Sequence, residues 1–263
     1  MEIVKPSKNI SLHIFLLITL FLIISKWIFS YLYFDDDITL RIINDTSDTA
    51  YYPIINAFSN FDFSPSYSNN IKDLDLISFP LISLLINSIF FKIFGSYSFI
   101  ILEFICVNLF LIIFYKIFLK FNFPIYFALT SAVFLFVVPS LLHELSFLNL
   151  EAFNLLILNL DHFYSLRFPR PIITNLFFFS FVLLTINFYI DNKDYVKKLS
   201  FLTILLGITL NAFFYLFFIE FFFLIIIFIL KFKNNLFKII FINLKQIFYC
   251  FLILLSFVII FQI

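Results

Sequence analysis

The sequence predicts an all-α fold: a polytopic transmembrane helix bundle of about seven spans, with a juxtamembrane helix in the first external loop, forming one transmembrane domain over residues 1–263. Three observations predict it. Hydrophobic residues make up 63% of the chain and charged residues 13%, with a mean hydropathy of +1.10, whereas soluble domains are roughly 45–50% apolar and 25% charged. Apolar runs reach the ~18–20 residues that cross a hydrocarbon core about 30 Å thick; Pro171–Ile190 has no charge and Leu199–Leu230 only Glu220. Lys and Arg gather in short segments between these runs, as cytoplasmic loops require.

Lys5 and Lys8 put the N-terminus inside. The apolar run after them is long, carries Lys26 and Trp27 late and lacks a small-residue cleavage motif before Asp35, so it is a retained first span over about Ile10–Phe34 and not a signal peptide. The span delivers Asp35 to the outer face. From Asp35 to Phe79 eight acids (Asp35, Asp36, Asp37, Asp45, Asp48, Asp62, Asp73, Asp75) stand against Arg41 and Lys72, the balance of an external loop. Pro80–Phe94 is apolar but short of a full span. Either it crosses, and Lys116–Lys120 lies outside, or it lies along the outer interface, and that basic loop lies inside. The positive-inside pattern selects the second, giving an external loop over about 35–97.

Spans follow at about Ser98–Tyr115 and Pro124–Leu141. A second external loop, about 142–170, holds His143, Glu144, Glu151, Asp161, His162, Arg167 and Arg170. Pro171–Ile190 returns inward to a cytoplasmic loop, Asp191–Lys198, with Lys193, Lys197 and Lys198. Leu199–Leu230 is too long for one span and breaks near Asn211–Tyr215, leaving Lys231, Lys233, Lys238 and Lys245 inside; about Ile247–Ile263 is the last span. The chain stops within that apolar run, which leaves room for a longer parent protein.

The net charge of +1 offers no electrostatic footprint for nucleic acid. Cys106 and Cys250 lie in separate apolar runs, where cysteine serves as a small hydrophobe, so no disulfide or thiolate metal site is expected. Forty-six Phe residues reflect compositional bias. With two Gly in the whole chain and no internal repeat, the broken, closely packed helices of many transporters are disfavoured.

The most informative polar feature is Phe34-Asp35-Asp36-Asp37. Three carboxylates directly after a span repel one another, so the run faces bulk water, binds a cation, or holds one carboxyl as a base. A solvated outer flank is the plain alternative. The pairs His143/Glu144 and Asp161/His162 invite a metal reading, but adjacent helical residues point in different directions. Glu103 and Glu220 sit inside apolar runs, where an ionisable group costs at least ~2.5 kcal/mol at the bilayer centre and marks a candidate for function; each is near enough to the outer end of its helix to reach the interface. Arg167-Phe168-Pro169-Arg170-Pro171 is either an interfacial anchor before a Pro-started helix or a cationic clamp.

Ser78-Phe79-Pro80, followed by an apolar helix closing on Phe94-Gly95, adds a further pattern. Together with the acidic run after the first span and Tyr51-Tyr52-Pro53 in the loop between, it resembles the GT-C superfamily of membrane glycosyltransferases, which use polyprenyl-phosphate-linked sugars. The resemblance covers about Ile10–Leu141, and more loosely the chain to Arg170. It implies that Asp35, Asp36 or Asp37 is the general base on the acceptor hydroxyl and that a cation receives the leaving phosphate. Many relatives carry a Lys before the proline pair, where this chain has Ser78; Lys72, Arg167 or Arg170 would supply that charge. Glu144 and Asp161 would be a second carboxylate or ligands of a divalent metal.

The expected activity is transfer of a sugar from a polyprenyl-phosphate donor to an envelope glycan or lipid on the outer face of a bacterial inner membrane, with the lipid-linked donor and membrane lipids as partners. The alternatives are a transporter or flippase-like carrier of a lipid-linked precursor, which needs a cavity around Glu103 or Glu220, and a non-catalytic assembly subunit. The topology is tested with Ser96→Cys and Asn122→Cys and a membrane-impermeant thiol reagent on intact cells. Labelling at 96 and protection at 122 are expected; the reverse removes the juxtamembrane assignment.

Overall fold

The computed structural model describes residues 13–21, 28, 32, 51–62, 80–144, 172–191, 194–233 and 241–261, with backbone only over 136–144, at 172 and over 260–261. Every regular element among them is helical. After the helical stretch 13–21 come α1 (Tyr51–Ser59), α2 (Leu81–Phe94), a 3-10 turn at Gly95–Tyr97, α3 (Ser98–Lys120), α4 (Ile125–Glu144), α5 (Ile172–Ile190), α6 (Tyr195–Ala212), α7 (Phe214–Phe232) and α8 (Leu244–Phe261). By length and composition, four stretches suit a membrane crossing: Leu81–Lys120, Ile173–Ile190, Tyr195–Ala212 and Phe214–Phe232. Phe, Ile and Leu side chains are exposed along them. In water that surface would drive aggregation; in lipid it is solvated, and the protein is an integral membrane protein.

The chain divides into two compact units, Met1–Tyr52 with Ile89–Leu176, and Pro53–Ser88 with Phe177–Ile263, the second boundary falling within α2. In the first unit the stretch 13–21 packs on α3. Phe15 meets Tyr115 edge-to-face at 5.4 Å, and Thr19 Oγ1 accepts a 3.3 Å hydrogen bond from Asn108 Nδ2 while donating to Phe15 O. Advancing from 15 to 19 moves the partner from 115 back to 108, so the two helices run antiparallel and Lys116 and Lys120 lie toward the N-terminal end of the stretch. α3 turns back through Asn122 at φ 62, and Pro124 precedes α4. Ala128 and Ala132, both fully buried one turn apart, bring α4 close against α3.

The Tyr51-Tyr52-Pro53 segment is the first turn of α1, since proline is tolerated where amides lack helical partners. Lys116–Lys120 is the last turn of α3 and not a loop: long lysine stems extend along a helix toward polar surroundings without ending it.

In the second unit α6 packs against both α7 and α8, over a core of Phe181, Phe188, Leu202 and Leu206. The basic segment after α5 is likewise partly helical, with Lys197 and Lys198 in the first turn of α6. Lys198 Nζ reaches Asp191 Oδ2 at 2.9 Å, and Lys198 and Lys231 together donate to the carbonyls of Asn187, Phe188 and Asp191 at the end of α5. These are helix-terminal carbonyls, where cations are favoured. Tyr195 Oη donates to Asn243 Oδ1 at 2.8 Å and brings the start of α8 to the same end. Lys197, Lys198, Lys231 and Lys245 therefore lie on one side of the unit.

Near the opposite end, Gly207 of α6 faces the ring of Phe257 on α8, and a Cβ at Gly207 would collide with that ring. The absent side chain is what allows this approach. Gly207→Leu should cost about 1–3 kcal/mol by overpacking, read as a lower unfolding temperature in detergent. Trimming the ring in Gly207→Ala/Phe257→Leu should recover part of the smaller Gly207→Ala loss; additive losses would show that the two do not touch.

Candidate functional site

Asp35, Asp36, Asp37, Lys72, Asp161, Arg167 and Arg170 lie outside the described residues, as do Glu151 and His162. Glu144 is the last residue of α4, described by its backbone alone. Cys106 is buried in α3 and Cys250 half-buried in α8. Glu103 is half-buried in α3. Among the described residues no three of His, Cys, Asp or Glu group as metal ligands.

The polar interior that the described residues do form lies in the second unit. α6 ends at Ala212, Phe213 is extended at φ −160° and ψ 98°, and α7 begins at once. Asn211 Nδ2 donates to Gly207 O at 3.0 Å, an i−4 bond to the backbone of the final turns. Phe213, Phe214, Tyr215 and Phe218 cluster around the turn, Phe214 and Phe218 edge-to-face at 4.7 Å, and Tyr215 is exposed. Tyr215 is of the residue type that gathers where hydrocarbon meets headgroups.

Beneath this turn lies Glu220. It is the one fully buried side chain of α7, at 1% exposure in a helix whose other side chains are half-buried or exposed. Six residues of helix separate it from Phe214, about 9 Å of rise. The expectation that it reaches the interface is corrected by that burial: the side chain points into α6 and not along α7. Thr209, also fully buried, is its hydroxyl neighbour. Thr209 Oγ1 donates to Leu205 O at 2.8 Å. Neither carboxyl oxygen accepts a hydrogen bond among the described residues, and Asn211 Oδ1 is likewise buried without a partner.

α2 carries a second buried polar row. Ser83, Asn87 and Ser88 are buried while Ile89 and Ile93 are exposed, the inverse of a water-facing amphipathic helix and suited to apolar surroundings. Asn87 Nδ2 donates to Ser83 O at 2.7 Å, and Asn87 Oδ1 and Ser83 Oγ have no partner among the described residues. The sequence signal for this row was the i, i+4 spacing of Ser83 and Asn87 on one helical face. In the first unit, Ile14, Ile18, Tyr126, Leu129 and Val133 line an apolar cavity of about 480 Å³, in which Thr130 turns its hydroxyl to Tyr126 O and Phe127 O.

Comparison of the chain with protein-family models, curated proteins and solved structures finds no match. Function is therefore argued from the residues alone.

An unpartnered amide oxygen contributes nothing to folding. Asn87→Leu should leave stability unchanged or raise it by up to ~1 kcal/mol, measured as the unfolding midpoint in detergent. A loss larger than that would show that Asn87 Oδ1 has a partner.

Proposed function

We propose that this chain is a membrane glycosyltransferase that moves a sugar from a polyprenyl-phosphate donor to an envelope glycan or lipid acceptor on the outer face of a bacterial inner membrane, with seven spans and a cytoplasmic N-terminus. The observation that carries the reading is α2. It starts directly after Pro80, runs 14 residues, and ends at Gly95, whose φ of +57 suits glycine and turns the chain into the 23-residue α3. That is the order of elements on which the GT-C resemblance rests.

Two further features agree with it. The antiparallel pairing of the stretch 13–21 with α3 favours a chain that does not cross the membrane between them, as a non-spanning α2 requires. The apolar cavity beside Ile14 and Tyr126 suits a hydrocarbon chain such as a prenyl tail.

In the reaction, one carboxylate of Asp35–Asp37 takes the proton of the acceptor hydroxyl as its oxygen attacks the anomeric carbon. The bond from that carbon to the phosphate oxygen breaks, and polyprenyl phosphate leaves with the electron pair. Arg167, Arg170 or Lys72 receives the phosphate, the guanidinium fork matching two of its oxygens. Glu144 and Asp161 serve as a second carboxylate or hold a divalent metal.

The test is sugar transfer from a polyprenyl-phosphate donor in reconstituted membranes. Changing the base to Asn keeps its shape and removes proton acceptance, so one of Asp35→Asn, Asp36→Asn and Asp37→Asn should lose roughly 10²–10⁴-fold in rate while the other two lose less. Equal activity of all three in protein that accumulates normally would remove the catalytic assignment and leave the acids as a solvated flank.

A further inference from the structure

We propose that Glu220 is an exchange site for a monovalent cation, a proton or an alkali ion, held inside the membrane between α6 and α7. The proposal stands apart from the sugar-transfer reading, which assigns Glu220 no part.

Both Glu220 oxygens are buried and unpartnered among the described residues, and the neighbouring Thr209 hydroxyl lies 2.8 Å from Leu205 O, to which it donates. α6 also stops at Ala212, so the last carbonyls of that helix have no continuing helix to take them up. Among the described residues this end of the hairpin supplies no cationic side chain. A buried carboxylate without a partner in hydrocarbon is stable when something positive or proton-bearing joins it. Helix breaks with exposed carbonyls beside a buried carboxylate are suited to that task.

No charged side chain of the packed elements offers itself instead. On α7 the nearest is Lys231, eleven residues and about 16 Å of helix away. On α6 the charges are Lys197 and Lys198 in the first turn, on α8 Lys245 in its first turn, and beside α5 Asp191, all at the opposite end of the unit. Among the described residues of α6 and α7, the other titratable group at the near end is the exposed Tyr215.

Uptake of a proton converts the carboxylate to a carboxyl whose O–H can donate to Thr209 Oγ1; uptake of an alkali ion leaves the carboxylate ionised and coordinated by oxygens. The α6–α7 turn is the short route for either, since Glu220 lies less than two helical turns from Phe214.

The experiment uses the full chain in detergent and in vesicles, treated with dicyclohexylcarbodiimide, which enters apolar sites and modifies protonated carboxyls. The modified residue is located by mass spectrometry. Glu220 should be labelled, at a rate falling about tenfold per pH unit above its midpoint, as a one-proton titration requires. Protection by sodium, lithium or potassium chloride against choline chloride at constant pH would identify an alkali ion as the occupant. The pH dependence with no protection would identify the proton. Thr209→Val, which keeps shape and removes the hydroxyl, should shift the labelling midpoint without altering the fold, and Glu103→Gln should leave labelling of Glu220 unchanged. Failure of Glu220 to label at any pH, or labelling that ignores both pH and cations, overturns the proposal.

Discussion

A backbone amide in hydrocarbon has no water to bond, so each peptide group must find its partner within its own helix, and every interruption must be satisfied locally. The described parts of this protein follow from that constraint. Helices run to the length their apolar sequence allows, and the places where they stop are the places where polar chemistry collects. At the end of α5 the open carbonyls receive Lys198 and Lys231. At the end of α6 Asn211 reaches Gly207 O, and Phe213 N donates to Thr209 O. At the end of α2 the turn is made by Gly95, the residue that adopts its backbone angle without strain.

With the backbone satisfied, helix association rests on close approach, because lipid is as apolar as the side chains it would replace. Two glycines in 263 residues leave little means for this, and the protein places one of them where it is needed. Gly207 accepts the Phe257 ring of α8, while Ala128 and Ala132 do a similar service for α3 and α4. The abundant Phe fills the remaining volume and supplies edge-to-face contacts such as Phe214 with Phe218. Few small residues thus suffice when each sits at a crossing.

Much of this was legible beforehand because it depends on composition along the chain. The helix starts after Pro124 and Pro171, and the break inside Leu199–Leu230, fell where proline and polar residues marked them. The ends of α3 and α6 did not, because Lys116, Lys120, Lys197 and Lys198 look like loop residues in a hydropathy pattern yet extend along helical turns. The burial of Glu220 was not legible either. Periodicity is nearly absent in α7, whose residues are apolar on every side, so nothing in the one-dimensional pattern told which face met α6. Asp35, Asp36, Asp37, Asp161, Arg167 and Arg170 lie outside the described residues, and their roles rest on the order of elements around α2.

The second unit is polarised along its length. Among the described residues its cationic donors, Lys198 and Lys231, stand at the end where α5 offers carbonyls, and Glu220 with Thr209 stands toward the other end without a cation. The helix dipole does little to relieve this, for the positive end of α7 acts mainly within its first turn and Glu220 is its seventh residue. Moving a lysine to the acceptor end would neutralise the group permanently; the chain instead leaves the acid beneath an aromatic turn at the edge of the hydrocarbon. A buried carboxyl whose compensating charge comes from solution is a carboxyl whose charge can change, and the separation of donors from acceptors along α6 and α7 is what makes that exchange physically available to this fold.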